Sequence, residues 1–194
     1  MSQSTAPQRQ LTIEQYLELE HDAPIRHDLV GGFRHPVPET SPRHDRIVDN
    51  IYRTLVETAE WLAENTEDTD NPPCRIMTRT VNLLAFMDAV YYPDVMVVCA
   101  AEPDEHGIEH APCLLVEVMT PGHETIDQME KWGAYNRIPS LRMYLVVDPD
   151  RRRVERHLRT SKGVWLHAVD VDDGEFSIPC PRSYLRLDEI YEGV

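Results

Sequence analysis

The order of helical and strand patterns predicts an α/β protein in which a central mixed β-sheet is flanked by helices. Apolar runs at 113–119 and 141–148 have the length and continuity of buried strands. A polar helical segment at about 125–136 separates them, and a helix that crosses between two strands of one sheet makes those strands parallel. A hairpin pattern at 154–169 adds antiparallel strands, so the predicted sheet is mixed.

The N-terminal part is predicted to form a helix and a short hairpin. Residues 1–10 are polar and are expected to be a disordered lead, with 11–194 as a single domain. Thr12 and Gln15 have the spacing of a capping box, which predicts a helix that runs to about Glu20. The pair Gly31-Gly32 then interrupts an apolar segment and favours a tight turn.

The rest of the chain alternates between one long helix and several strands. Ser41 and Pro42 are typical of an N-cap and a first helical position, and apolar residues recur at helical spacing to about residue 63. Two strands are expected at 76–86 and 90–99, joined by a turn near 87–89. A last strand near Phe176 and a short helix near 188–191 complete the predicted elements.

Composition limits the function classes. The formal net charge is -15, and phosphate-binding surfaces are normally basic, so tight non-specific DNA binding would need a local basic strip or bound metal. No run approaches a membrane span and the first residues lack a signal-peptide core, which predicts a cytoplasmic protein. The four cysteines form no CxxC pair and are expected to be buried reduced thiols.

Three charged residues predict a site for a divalent metal. Glu117 lies inside an apolar strand, where an unpaired carboxylate costs several kcal/mol and therefore needs a cation, a hydrogen-bond network or a metal. Asp94 lies near the start of the neighbouring predicted strand, and Lys131 lies four residues after Asp127 on one helix face. Two strands that each bring one carboxylate inward, with a lysine from a helix, can build such a site.

These residues resemble a known family. Pro93-Asp94 followed by Glu117 is similar to the core of the PD-(D/E)XK nuclease superfamily, and over about 11–190 the chain resembles the Uma-type family of bacterial restriction endonucleases. The segments that carry the resemblance are Thr12–Leu17, His27–Phe33, Ser41–His44, Pro93–Val98, Pro112–Pro121, Asp127–Tyr135 and Met143–Pro149. Met119 stands where the superfamily has its lysine, and Gly31-Gly32-Phe33 replaces an acidic turn.

The resemblance implies a restriction-endonuclease-like fold and a Mg²⁺- or Mn²⁺-dependent endonuclease that hydrolyses DNA. Asp94, Glu117 and the backbone carbonyl of Val118 would hold the metal, and Lys131 would orient water or offset developing charge. His44 would contact phosphate or move a proton. Asp28 would bind metal through water or hold a second ion. A homodimer is expected as one way to cut both strands.

Other interpretations of the same residues remain open. Glu117 can instead pair with a basic residue, Lys131 can be an exposed partner of Asp127, and Asp94 can cap a turn. The chain would then be a catalytically weak or inactive binding or assembly protein that keeps the nuclease fold. A third interpretation is a metal-dependent hydrolase of a non-duplex nucleic acid or a nucleotide.

Overall fold

The computed structural model describes residues 10–65, 73–79, 82–86, 89–99, 103, 107–120 and 126–194, and for 126–128 it describes the backbone alone. The helices within this part are α1 (Ile13–His21), α2 (Pro42–Asn65), α3 (Ile126–Tyr135) and α4 (Leu187–Ile190). The strands are β1 (His27–Val30), β2 (Phe33–Pro36), β3 (Cys74–Thr78), β4 (Leu83–Leu84), β5 (Val90–Tyr91), β6 (Val95–Cys99), β7 (Leu114–Val118), β8 (Met143–Asp148), β9 (Arg153–Arg159), β10 (Trp165–Val171), β11 (Glu175–Pro179) and β12 (Arg182–Arg186).

A six-stranded mixed sheet forms the centre, in the order β10-β9-β8-β7-β6-β3. Strands β7 and β8 are parallel, with Val116 opposite Leu145, and α3 lies between them along the chain. The other pairs in this sheet are antiparallel. The predicted fold class and the predicted parallel pair are therefore confirmed.

Side chains of β7 alternate between the two faces of the central sheet, as they do in any strand. Leu114, Val116 and Val118 join the core that contains α2, whereas Leu115 belongs to the core that contains Tyr135 of α3. Glu117 falls on the α3 face by the same alternation. The single acid of the strand therefore meets side chains of the crossover helix.

Helix α2 covers the other face of the sheet with an apolar stripe. Its buried residues Ile47, Val48, Ile51 and Leu55 pack against the central strands and against side chains of β11, β12 and α4. At Asn50 the amide donates to the carbonyl oxygens of Ile190 and Glu192, which ties the C-terminal turn to α2. No helix in the described part of the chain is both long and apolar enough to cross a membrane.

A second sheet, in the order β2-β1-β5-β4, carries α1. Tyr16 of α1 packs on Leu29 and Val90, and its hydroxyl donates to the carbonyl of His27 at 2.6 Å. The capping box predicted for Thr12 is confirmed, because both of its hydrogen bonds are present. The chain leaves this sheet after β5 and enters the central sheet at β6, so Asp94 lies at the junction between the two sheets.

Two strand predictions were wrong in their length. The expected strand 76–86 is divided between β3 in the central sheet and β4 in the second sheet, and 90–99 is divided between β5 and β6 in the same way. Arg79 and Asn82 fall in the first break and Pro93 and Asp94 in the second, so polar residues accompany each change of sheet and a proline accompanies the second. Residues 1–9 of the expected disordered lead and residues 87–88 of the expected turn lie outside the described residues.

The expectation of reduced cysteines was also wrong. Cys74 and Cys99 face each other across β3 and β6 and form a disulfide, and Cys113 forms a second disulfide with Cys180. The two bridges are adjacent, with 3.5 Å between the sulfur atoms of Cys99 and Cys113. Spacing along the chain gave no sign of this, because the partners are 25 and 67 residues apart.

Candidate active site

Asp94 is a buried acid held by three groups from different elements. One carboxylate oxygen, Oδ2, accepts a 2.7 Å hydrogen bond from the backbone N–H of Val118 and lies 3.3 Å from Nε2 of His44. The other, Oδ1, lies 3.4 Å from Nε of Arg79. Because Val95 pairs with Val116, the next position along β6 and β7 brings Asp94 beside Glu117.

Glu117 is also buried, and both of its oxygens are bonded to α3. Lys131 Nζ donates to Oε2 at 2.9 Å, and the Tyr135 hydroxyl donates to Oε1 at 2.9 Å. Lys131 and Tyr135 are four residues apart, so they lie on one face of the helix. The crossover helix therefore brings a cation and a hydroxyl to one carboxylate.

These groups line one small pocket of about 40 Å³ at the start of β6 and the end of β7. That volume is enough for about three water molecules. Five of the predicted site residues contribute to its wall: His44, Asp94, Glu117, Val118 and Lys131. The other lining residues are Val37, Pro38, Thr40, Arg79, Tyr92, Met119, Thr120, Tyr144 and Val146.

Burial dominates the electrostatics of Glu117. It raises the pKa of this carboxyl to about 7, with Lys131 acting against the rise and the nearby charge of Asp94 adding to it. Burial and then the charge of Glu117 raise the pKa of Tyr135 well above its usual value, so this phenol stays protonated and donates. The pocket thus holds one carboxyl that changes charge near neutral pH.

A second ion-pair system closes the other side of the pocket. Arg79 Nη2 lies 2.6 Å from Asp45 Oδ1, and the Thr40 hydroxyl donates to the same oxygen. Burial alone would raise the pKa of Asp45, but the hydrogen bonds from Thr40 and Arg79 and the charge of Arg79 hold it below its usual value. Asp45 therefore stays ionised and fixes Arg79 over Asp94.

His44 lies in the first turn of α2 and is 2 % exposed. Its backbone N–H donates to the Ser41 hydroxyl, which is the N-cap contact that the sequence predicted. Its Nδ1 has no hydrogen-bond partner among the described residues and lies 3.6 Å from Asp45 Oδ1. The imidazole therefore directs Nε2 toward Asp94, and its Nδ1 lies near the carboxylate of Asp45.

The predicted roles of three residues, Asp28, Asp127 and Val118, are not seen among the described contacts of the pocket. Asp28 is not among the described residues that line the pocket; its Oδ1 accepts from the backbone N–H of Tyr92, two residues before Asp94. Asp28 therefore braces the chain that leads to Asp94, and its metal role stays a prediction. The side chain of Asp127 lies outside the described residues. For Val118, the observed contact is made by the amide, and a metal role for its carbonyl also stays a prediction.

Sequence reasoning missed two residues of the site, Arg79 and Tyr135. Tyr135 could have been found, since it follows Lys131 by four residues and must share its helix face. Arg79 could not, because it follows β3 and reaches Asp94 only through the pairing of β3 with β6.

The donor set fits a hard divalent cation. Mg²⁺ and Mn²⁺ prefer oxygen ligands and retain several waters, and two carboxylates that share a pocket with room for water meet that need. Each carboxylate nevertheless already has a basic partner, Arg79 and His44 for Asp94, and Lys131 for Glu117. A bound cation would compete with these partners for the same oxygens.

A mixed sheet with two strand-borne acids beside the helix that crosses between its parallel strands defines the restriction-endonuclease-like class of fold. The chain belongs to the Uma2 family, described as "Putative restriction endonuclease", whose sequence pattern matches residues 13–183. The expected PD-(D/E)XK-like relationship is consistent with this match. Family and fold together indicate a nuclease of the restriction-endonuclease-like type.

Two relatives and a solved structure are similar to this chain. The two relatives are uncharacterized proteins of Synechocystis. The protein sll1609 is 28 % identical over 161 residues, which cover 80 % of this chain and 85 % of sll1609. The protein slr1290 is 26 % identical over 193 residues, which cover 98 % of this chain and 96 % of slr1290. A crystal structure described as a putative nuclease belonging to DUF820 from Anabaena variabilis has a TM-score of 0.71 and 14 % identity, covering 93 % of this chain and 97 % of that one. At that identity the likeness shows the fold alone.

Proposed function

We propose that the protein is a Mg²⁺- or Mn²⁺-dependent endonuclease that hydrolyses DNA phosphodiester bonds at the pocket between β6, β7 and α3. One observation carries the proposal: Asp94 and Glu117, buried acids from adjacent strands, line one pocket together with Lys131. An isolated buried carboxylate is costly, and two in one pocket are typical of metal-dependent or acid–base chemistry.

In this proposal Asp94 and Glu117 hold the metal through carboxylate oxygens, with the carbonyl of Val118 as a third ligand. The metal, when bound, neutralises phosphate charge and lowers the pKa of coordinated water. Lys131, released from Glu117, orients water or offsets charge that develops on the phosphate. Tyr135 keeps its hydrogen bond to Glu117 and so fixes the orientation of that carboxylate.

His44 and Arg79 hold Asp94 from the other side. Arg79 is anchored by Asp45, so its guanidinium stays at the rim and can bind a phosphate oxygen. His44 has one nitrogen on Asp94 and can contact phosphate or move a proton. Asp28 supports the segment before Asp94 through the Tyr92 amide, and a water-mediated metal contact of Asp28 remains part of the hypothesis.

The substrate and the assembly are further parts of the proposal. A net charge of -15 disfavours contact with DNA outside this pocket, so binding would be weak. A homodimer would let two pockets cut both strands of a duplex. Residues 11–194 would act as one domain. Cytoplasmic action stays a prediction, and two disulfides are unusual in that compartment.

An inactive binding protein with the nuclease fold is the second candidate. The observation that favours it is that both carboxylates already have basic partners, which makes the pocket stable without metal. A hydrolase of a non-duplex nucleic acid or of a nucleotide is the third candidate, since the pocket is small and the acidic chain disfavours wider contact with a duplex.

The test is plasmid nicking with Mg²⁺ or Mn²⁺ by the wild-type protein, Glu117→Gln and Asp94→Asn, with single-stranded DNA, RNA and nucleotides as parallel substrates. Glu109→Gln is the matched control, because Glu109 is a buried acid that pairs with Arg75 outside the pocket. The proposal requires metal-dependent nicking that both pocket variants lose and the control keeps. Absence of cleavage with either metal would support the second candidate, and cleavage confined to the other substrates would support the third.

A further inference from the structure

The outer hairpin of the central sheet brings two histidines and a glutamate together, away from the candidate active site. His157 of β9 pairs directly with His167 of β10, and Glu155 lies two residues before His157 on the same face. One potential ligand atom from each side chain can be chosen so that all three lie within 4.8 Å of one another. Nε2 of His167 is 3.1 Å from Oε2 of Glu155.

The side chains around this cluster restrict its geometry. The ring of His157 lies 4.2 Å from Trp132 and 5.7 Å from Tyr144, measured between centroids, and 4.8 Å from the ring of His167. Arg153 Nη1 contacts Oε1 of Glu155 at 2.6 Å, which leaves Oε2 on the side of His167. Outer partners that orient a ligand in this way are a regular feature of metal sites.

A simple ion pair between Glu155 and His167 explains only part of this arrangement. An exposed pair of that kind contributes little to stability, and His167 is half exposed. The ion pair between Glu155 and His167 gives no reason for the second imidazole, that of His157, directly across from His167 on the neighbouring strand. Two imidazoles and one carboxylate, with a fourth position open to water, form a donor set that suits Zn²⁺ and related transition-metal ions better than Mg²⁺.

We propose that Glu155, His157 and His167 form a transition-metal site of the Zn²⁺ type on the β9–β10 hairpin. The site is separate from the pocket: Glu117 pairs with Val146, and Val146 pairs with Glu155, so the two acids are two strands apart, about 10 Å. An ion there joins β9 to the edge strand β10 and so stabilises the edge of the sheet. This proposal does not depend on nuclease activity.

The full-length protein, kept oxidised so that its cysteines remain in disulfides, is titrated calorimetrically with Zn²⁺ at pH 7.5. The expected result is that His167→Ala loses one equivalent of Zn²⁺ relative to wild type, and that Glu155→Gln weakens this equivalent about tenfold or more. His35→Ala, which removes an exposed histidine on β2, is the matched control and should bind as wild type does. The Glu117→Gln variant should still bind one equivalent of Zn²⁺ at the hairpin, because any Zn²⁺ that binds in the pocket adds a separate equivalent.

Trp132 supplies an independent readout, because its ring lies against His157. Binding of Co²⁺ or Cu²⁺ at the cluster should quench tryptophan fluorescence in wild type, in Glu117→Gln and in His35→Ala, and should not do so in His167→Ala. Since His167 is half exposed, its removal should leave the fold intact, which circular dichroism checks. The proposal is overturned if His167→Ala and wild type give the same isotherm and quenching, or if Glu117→Gln alone abolishes Zn²⁺ binding.

Discussion

Lys131 of α3 donates a 2.9 Å hydrogen bond to Glu117 of β7, and this contact joins the crossover helix to the central strand. Both side chains are largely buried, with 12 % and 10 % of their surfaces exposed. The amine therefore compensates a carboxylate that burial would otherwise neutralise. The same pair supplies a candidate metal ligand and a candidate catalytic amine, so structure and chemistry depend on one contact.

Replacing Lys131 by methionine should destabilise the protein more at high pH than at low pH. Without the amine, the pKa of Glu117 rises further, so the folded protein must either bury an uncompensated charge or take up a proton. The expected loss is about 3 kcal/mol at pH 8 and about 1 kcal/mol at pH 5.5, where Glu117 is already protonated. Urea unfolding at the two pH values measures this, with the exposed Lys162→Met as control. Equal losses at both pH values would contradict the prediction.

The raised pKa of Glu117 predicts how metal binding depends on pH. Between the ordinary value of about 4.5 and the folded value of about 7, the folded state holds a proton that the unfolded state releases. The contribution of Glu117 to the free energy of unfolding therefore falls as pH rises through that window. A metal that binds Glu117 in this window must displace the proton. Calorimetric Mn²⁺ affinity should rise about tenfold per pH unit below 7 and level off above it. An affinity that is independent of pH from 5.5 to 7 would count against Glu117 as a ligand.

The disulfide between Cys113 and Cys180 should contribute substantially to stability, because it joins the start of β7 to the segment between β11 and β12 across 67 residues. The double variant Cys113→Ser/Cys180→Ser should lose about 2–4 kcal/mol of unfolding free energy under oxidising conditions. Denaturant unfolding measures the loss, and a thiol assay on the denatured wild-type protein should find no free cysteine. Four titratable thiols would instead support the interpretation that the cysteines are reduced.

Asn50 should be important for the C-terminal turn. Its buried amide bonds two carbonyl oxygens, those of Ile190 and Glu192, and removal of the side chain takes this partner from both, including the carbonyl of the buried Ile190. Asn50→Ala should cost about 2 kcal/mol of unfolding free energy, whereas the exposed neighbour Asp49→Ala should change it by less than about 0.5 kcal/mol. Parallel urea titrations of the two variants provide the measurement, and equal effects would refute the role of Asn50.

Local patterns predicted most of the central sheet and part of the site. The apolar run around Glu117 has one acid, and a buried acid requires a partner, so its importance followed from the sequence. The spacing of Asp127 and Lys131 places their positions on one helix face, which predicted that the helix brings the lysine to the site. The parallel pair β7–β8 followed from the crossover connection.

Contacts that depend on register between distant segments could not be predicted in this way. Arg79 reaches Asp94 because β3 pairs with β6, and Cys74 meets Cys99 for the same reason. The division of 90–99 falls at Pro93-Asp94 and sets Asp94 at the start of β6, but the assignment of the two halves to different sheets depends on which strands they pair with. The sequence therefore identified the acids and the amine more readily than the basic residues and disulfides around them.

The most direct test of the account is a crystal structure of the protein soaked with Mn²⁺, with anomalous scattering used to locate the ion. The account predicts a peak in the pocket, about 2.1 Å from one carboxylate oxygen each of Asp94 and Glu117, with Lys131 moved away from Glu117. A pocket without a peak at saturating Mn²⁺, with Lys131 still bonded to Glu117, would contradict it.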